Sequence, residues 1–111
     1  MYSDSPAKLL RLNFTERDRY QDKPLYEAIV EKCRELKIAG ATVFRGLEGF
    51  GETAEIHHSH VLRHDLPILI HIVDTAENIQ RLLPVVEEMM DKGIIAMSDV
   101  NVIRVHKTAG V

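Results

Sequence analysis

Apolar residues recur along this chain at two different spacings, and each spacing predicts one kind of element. Within residues 8–15, Leu10, Leu12 and Phe14 alternate with other residues. Alternation places these side chains on one face, so the segment is predicted to be a half-buried strand. The preceding residues, 1–7, are mostly polar and are predicted to form a flexible N-terminus.

The next periodic segment has helical spacing. After a charged loop over residues 16–23, Pro24 is well suited to the first turn of a helix. The apolar residues that follow form one inward stripe: Leu25, Ile29, Cys33 and Leu36. Gly40, just beyond the stripe, is the predicted stop of this helix. On the stripe, Cys33 is predicted to be a small buried hydrophobe and not a reactive thiol.

Two strands follow, and a long segment separates them. Residues 41–44 are small or apolar with two β-branched members, and Arg45 stands where this strand ends. The glycine-rich segment 46–65 replaces a hairpin connection of ordinary length, so it is predicted to be a long functional loop. Residues 66–73 are apolar on both faces, and Pro67 lies at the start, where a missing amide is tolerated.

A second helix is predicted next. Asp74-Thr75-Ala76-Glu77 has the form of an N-cap with a carboxylate three residues on. The apolar residues that follow have helical spacing: Ile79, Leu82, Leu83, Val86 and Met90. Pro84 is predicted to kink this helix because it lacks the amide that would bond back to residue 80. Asp91-Lys92-Gly93 is the predicted end.

The end of the chain is again β-type. Residues 94–97 and 100–105 are predicted to form two short strands separated by Ser98-Asp99. The element order is therefore β-α-β-β-α-β, which predicts one α+β, ferredoxin-like domain over residues 8–107 with two helices on one face of an antiparallel sheet. Because residues 66–73 are too apolar for a strand with one face in water, other copies of the chain are expected to cover the second face.

Composition narrows the class of protein. The 111 residues suffice for one domain, and a net charge of −3 provides no generic nucleic-acid footprint. No run of 18 apolar residues occurs, so no membrane insertion is expected. The first six residues lack the basic and apolar regions of a signal peptide, and a cytoplasmic location is expected.

Four segments resemble one family of small prokaryotic proteins. They occur in one order and at familiar separations: residues 23–30 (KPLYEAIV), 40–46 (GATVFRG), 49–51 (GFG) and 65–68 (DLPI). This family is known mainly as a domain of unknown function and is grouped structurally with the PII signal-transduction proteins. The resemblance covers about residues 8 to 105 and implies the PII-like ferredoxin fold, usually a homotrimer with the sheets facing inward.

The resemblance also implies roles for two segments, because PII proteins are sensors. Their long loop between the second and third strands, the T-loop, contacts target proteins, and adenine nucleotides bind in clefts between subunits. By topology, residues 46–65 correspond to the T-loop, and Asp91-Lys92-Gly93 to the phosphate-holding loop after the second helix. The turn in PII proteins is longer and richer in glycine and lysine, so their nucleotide-binding residues are not reproduced here as a motif.

The chain carries the residue types that an anion site requires. Such a site needs backbone amides that are free to point at the ligand, together with fixed positive charge. The candidate ligand-binding residues combine glycines and cations: Arg45, Gly46, Gly49, Gly51, Lys92, Gly93 and Arg104. The alternative is that these glycines only turn a loop.

A histidine-rich segment, residues 56–64, is a second candidate site. In a helix, His57, His60 and His64 share one face, an arrangement suited to a divalent metal such as zinc or copper. In an extended chain, His58, His60 and His64 share a face instead. The alternatives are a loop whose close histidines respond to pH, or a merely solvated polar segment.

No catalytic pattern is present in the sequence. No nucleophile elbow surrounds Ser59, and no paired-carboxylate, Walker or zinc-protease motif occurs, so an enzyme is not expected.

The leading hypothesis is a PII-like regulatory protein that binds a small anionic effector between subunits, with an adenine nucleotide as the candidate. Segment 46–65 would contact a protein target. The alternatives are a metal-binding, CutA-like trimer that uses residues 57–64, and a structural oligomer without a small ligand. His71, inside an apolar strand, is predicted to be a core or interface residue.

Overall fold

The computed structural model describes residues 4–50 and 66–107. The elements in this part of the chain are β1 Asp4–Thr15, β2 Arg19–Tyr20, β3 Lys23–Pro24, α1 Leu25–Glu35, β4 Ala41–Arg45, β5 Pro67–Asp74, α2 Ala76–Met89 and β6 Ile94–Ile103. Four strands form one antiparallel sheet in the order β4-β5-β1-β6. The short strands β2 and β3 form a separate ribbon within residues that the sequence predicted as a charged loop. Apart from this ribbon, the predicted α+β, ferredoxin-like fold is confirmed.

One face of the sheet forms the hydrophobic core together with both helices. The alternation in β1 buries Leu10, Leu12 and Phe14 completely. Ile70 of β5 lies directly opposite Leu12, and the helices add their apolar stripes to the same core. Cys33 of α1 lies in this core, and burial raises the pKa of its thiol to about 11. The thiol therefore stays protonated near neutral pH, as expected for a buried structural cysteine.

The second face of the sheet keeps large apolar side chains in contact with solvent. The cross-strand pairs on this face include Leu9 with Val73, and Phe44 with Leu69. Phe44 is 46% exposed and Ile94 is 42% exposed. The sheet therefore carries large apolar side chains on both faces, as the composition of residues 66–73 predicted, and Arg11 and His71 lie opposite each other on the second face. We call this second face the open face.

Two strand boundaries correct the sequence predictions. β1 begins at Asp4, so residues 4–7 pair with the end of β6 and are not a flexible terminus. β6 is a single strand and not two short ones, because Ser98-Asp99 lies opposite β1 in unbroken register. The Lys8 Nζ lies 2.5 Å from Asp99 Oδ1. A neighbouring strand and an ion pair thus hold a polar dipeptide in the extended conformation.

Helix α1 ends at Glu35, so the prediction that Gly40 stops the helix is wrong. Lys37 takes the left-handed conformation instead, with φ of 61°. The amides of Lys37 and Ile38 donate to carbonyl oxygens of the last helical turn, at 3.1 and 2.9 Å, which forms a Schellman motif. Ile38 is buried in the core by this turn. Burial of Ile38 is the physical reason that a non-glycine residue adopts a conformation that glycine favours.

Helix α2 begins one residue later than the capping pattern predicted. Thr75 is the N-cap, and its Oγ1 accepts a hydrogen bond from the Asn78 amide at 3.1 Å. The Asp74 carboxylate accepts from the amides of Ala39 and Thr75, at 2.9 and 2.7 Å, and from Asn78 Nδ2 at 3.1 Å. Asp74 therefore ties the connection before β4 to the start of α2. The helix continues past Pro84.

Replacing Asp74 with alanine is expected to lower the free energy of unfolding at pH 7 by about 1–2 kcal/mol, since three hydrogen bonds are lost. Partial burial raises the pKa of this carboxyl, but hydrogen bonds from Ala39, Thr75 and Asn78 and the charge of Arg81 outweigh it, so the pKa lies below its usual value. Because the folded-state pKa is depressed, ionisation of Asp74 stabilises the fold fully above the unfolded-state pKa of about 4, and this stabilisation is lost as the pH falls through the folded-state pKa.

Urea unfolding at pH 7 and pH 3 measures this difference. The gap between wild type and Asp74→Ala should shrink at pH 3, whereas the exposed control Asp91→Ala should differ little from wild type at pH 7. An equal gap at both pH values would show that the ionised carboxylate does not stabilise the fold.

Candidate functional site

Gly46, which begins segment 46–65, and Leu66, which follows it, are both hydrogen-bonded at one end of the sheet. The Gly46 amide donates to the Pro67 carbonyl oxygen at 2.7 Å, which joins the start of the segment to β5. The Glu16 amide donates to the Leu66 carbonyl oxygen at 2.9 Å, which joins the residue after the segment to the residue after β1. The described residues on either side of 51–65 therefore lie beside the same end of the sheet.

Two of the predicted ligand-binding glycines pack against the same proline. A Cβ at Gly46 would lie 2.7 Å from Pro67 Cγ, and a Cβ at Gly49 would lie 3.3 Å from it. Gly46 thus has a packing reason to be glycine, and its amide is already bonded to Pro67. The predicted role of Gly46 as a free amide donor is corrected to a structural one. We call Glu16, Arg45, Gly46, Gly49 and Pro67 the loop-base cluster.

The cation of the loop-base cluster is engaged by a carboxylate. Arg45 Nη2 lies 2.5 Å from Glu16 Oε1. The Arg45 side chain is 57% exposed, whereas that of Glu16 is 19% exposed. A guanidinium with this exposure remains accessible to an anion from solvent, and it is the side chain best suited to bind a phosphate or carboxylate in two places.

Lys92 and Gly93 lie at the same end of the sheet as Arg45, but at the opposite edge. Gly93 has φ of 137°, and a Cβ there would lie 2.6 Å from the Asn13 carbonyl oxygen in β1. Lys92 beside it is exposed. Since β4 and β6 are three strand spacings of about 4.8 Å apart, about 14 Å separates the two groups across the sheet.

Arg104 lies at the other end of the sheet. It follows β6, whose last residue pairs with the first residue of β1. There it lines a cavity of about 640 Å³ together with Thr42, His71, Val73 and Ser5. We call this cavity the far hollow. The structure therefore does not bring Arg104 together with Arg45 and Lys92 within one chain.

Sequence reasoning missed two polar residues of the far hollow. Thr42 and His71 are direct cross-strand neighbours, and both line the cavity. His71 packs edge to face against Phe44, with ring centroids 5.1 Å apart. Their pairing depends on the register of β4 against β5, which no pattern within either segment reports.

The remaining predicted site residues fall outside the described residues. These are Gly51 and the histidines His57, His60 and His64, so the metal hypothesis stays a prediction. Within residues 4–50 and 66–107, no group of three or more histidine, cysteine or acidic side chains is placed to hold a metal ion. In the same ranges, no helix has the length and apolar character needed to cross a membrane.

Comparison with known proteins agrees with this fold. The family model DUF190, described as Uncharacterized ACR, matches residues 7–102. A UPF0166 protein of Aquifex aeolicus (strain VF5) is 41% identical over 100 residues, which cover 86% of this chain and 92% of that protein. A UPF0166 protein of Methanocaldococcus jannaschii is 33% identical over 98 residues, with coverage of 86% and 91%.

The fold is also similar to a solved structure. CPII from Thiomonas intermedia K12, a nitrogen regulatory PII-like protein bound to ADP, AMP and bicarbonate, superposes with a TM-score of 0.67 and 17% identity. The alignment covers 90% of this chain and 98% of that one. The family match and the fold confirm the resemblance found in the sequence: the chain belongs to the DUF190 family and has a PII-like fold.

Proposed function

We propose that this protein is a PII-like regulator that binds a small anionic effector, of the adenine nucleotide class, in clefts between copies of the chain. Segment 46–65 would contact a protein target, and the role is binding and not catalysis. The observation that carries the proposal is the division of the candidate cations between two ends of one sheet. ADP and AMP in the similar structure of CPII support the choice of ligand class.

The separation of the cations favours a site between copies. Arg45 and Lys92 lie at one end of the sheet, and Arg104 lies at the other end beside the far hollow. In a closed ring of identical subunits, each contact joins one surface of a chain to a different surface of the next. Such a ring would place the far hollow of one copy against the loop-base cluster of its neighbour, and both groups would then face one ligand.

The open face supplies the driving force for such a ring. Its apolar side chains include Phe44, Leu69, Val73 and Ile94, of which Phe44 and Ile94 are more than 40% exposed in the single chain. Burial of apolar surface stabilises an assembly by about 25 cal/mol per Å². We therefore propose a homotrimer with the open faces directed inward.

The chemistry of the two groups is complementary to a nucleotide. Arg45 of the loop-base cluster supplies positive charge for phosphate oxygens. The far hollow has a volume in the range of small-molecule sites, and it combines apolar walls with Thr42, His71 and Arg104. Regulation then requires that the ligand bind one arrangement of segment 46–65 more tightly than another.

Calorimetric titration with ATP, ADP and AMP, with and without magnesium, tests the proposal. Saturable binding is expected at about one nucleotide per chain, since a ring of identical contacts has as many clefts as subunits. Absence of heat with all three nucleotides, at protein concentrations where the oligomer is intact, would remove adenine nucleotides as the effector class.

A further inference from the structure

Glu16 contacts the two residues that flank segment 46–65 by different atoms. Its carboxylate pairs with Arg45, just before the segment, at 2.5 Å. Its amide donates to the carbonyl oxygen of Leu66, just after the segment, at 2.9 Å. One residue thus connects the predicted anion-binding cation to the exit of the segment that the proposed function assigns to the protein target.

The burial of the ion pair is unequal, and this decides how it responds to a ligand. The Glu16 side chain is 19% exposed and that of Arg45 is 57% exposed. Arg45 is the partner that solvent, and hence an incoming anion, can reach. A guanidinium that is engaged by a carboxylate offers fewer donors to a phosphate, so the two anions compete for it.

We propose that Glu16 is an autoinhibitory latch: its carboxylate occupies Arg45 in the ligand-free protein, and an anionic effector binds by displacing it. This inference rests on the proposed function and adds its regulation. Displacement frees the carboxylate of the residue whose backbone holds the end of segment 46–65. Ligand occupancy at Arg45 thereby changes the interactions of Glu16, the one residue that contacts both Arg45 and Leu66.

The proposed latch predicts that removal of the Glu16 charge increases the affinity of the protein for ADP. Glu16→Gln keeps the size of the side chain and removes its charge, so Arg45 is no longer held by an anion. ADP should then bind about two- to fivefold more tightly than to wild type, the range that an ion pair of this exposure can oppose. Calorimetric titration with ADP measures the change. Thermal unfolding and sedimentation of the variant establish that it folds and assembles as wild type does.

A double-mutant cycle separates the latch from a general effect of charge. The cycle repeats Glu16→Gln in an Arg45→Gln background, where the gain in ADP affinity should disappear. The matched control is Glu31→Gln, which removes the carboxylate of an ion pair with Lys23 at 2.6 Å. This control should leave ADP affinity unchanged.

Each outcome has a defined meaning. A gain in Glu16→Gln that vanishes without Arg45 supports the latch. Three results overturn the latch and leave the proposed function in place. The first is equal ADP affinity in wild type and Glu16→Gln. The others are a gain in affinity that persists in the Arg45→Gln background, and a gain that Glu31→Gln produces as well. Failure of ATP, ADP and AMP to bind wild type and every variant overturns both the latch and the proposed ligand class.

Discussion

Replacing Leu69 with glutamate is expected to convert the assembled protein into a folded monomer of 12.6 kDa. Leu69 lies in β5, a central strand of the sheet, and pairs with Phe44 and Asn13 across the open face. In the single chain its side chain is only partly buried, so glutamate at this position retains access to water. In the proposed trimer, three carboxylates would be buried together, each with Arg11 of β1 diagonally across the sheet as its nearest cation.

The physical basis of this result is the asymmetry between burying and exposing a charge. Removal of a charge from water costs several kcal/mol per ion, and a pair with Arg11 would repay this only with excellent geometry. The same substitution on a solvated face costs little. The variant should therefore lose assembly and keep the core formed by Leu12, Phe14 and Ile70 on the other face of the sheet.

Sedimentation equilibrium measures the mass, and circular dichroism with urea unfolding measures the fold. Wild type should sediment at about three times the chain mass, as expected for a closed ring of three. The control is Gln80→Glu, which adds the same charge at an exposed position of α2 and should leave the assembly intact. Wild type that sediments as a 12.6 kDa monomer, or a Leu69→Glu variant that remains oligomeric, would contradict the proposed use of the open face.

The periodicity of apolar residues predicted most of the fold because burial determines it directly. Leu10, Leu12 and Phe14 alternate in the sequence and are the buried face of β1. Ile79, Leu82 and Val86 recur at helical spacing and are the buried stripe of α2. These positions could be found without a structure because each reports its own contact with the core.

The errors arose where a neighbouring element overrides a local preference. Ser98-Asp99 has the composition of a turn, yet β1 pairs with it and Lys8 binds the carboxylate. Lys37 adopts a left-handed conformation because the next residue, Ile38, is buried. Neither cause is visible within the segment itself, so local patterns placed the boundaries of β6 and α1 wrongly.

The candidate site could be predicted only as a set of residues and not as an arrangement. Arg45, Lys92 and Arg104 were grouped by charge. The arrangement of the strands in the sheet places Arg104 at the opposite end from the other two. Glu16 carried no signal as a partner of Arg45, since the two are far apart in sequence and meet only where β4, β5 and β1 lie side by side. Topology is therefore the missing information in both cases.

The same topology predicts that Arg45 and Arg104 act on one ligand from two different copies of the chain. Arg45→Gln and Arg104→Gln, each prepared alone, should bind ADP about 10- to 100-fold more weakly than wild type, because each removes a charge-assisted contact from every cleft. Neither substitution alters the core, since both arginine side chains are exposed. These two variants alone do not distinguish a site within one chain from a site between chains.

Mixing the two variants makes that distinction. In a closed ring of three, a chain with intact Arg45 placed before a chain with intact Arg104 rebuilds one complete cleft. When equal amounts are refolded together, about three quarters of the rings contain both variants. Each of these mixed rings has one complete cleft among its three, so about one quarter of the binding capacity should return at wild-type affinity.

The control is the double variant Arg45→Gln with Arg104→Gln, refolded with Arg45→Gln. No chain in these rings has an intact Arg45, so no binding capacity should return. A mixture that recovers no sites would show that the two arginines do not share a cleft between neighbouring copies, and the division of cations between two ends of the sheet would then need another explanation.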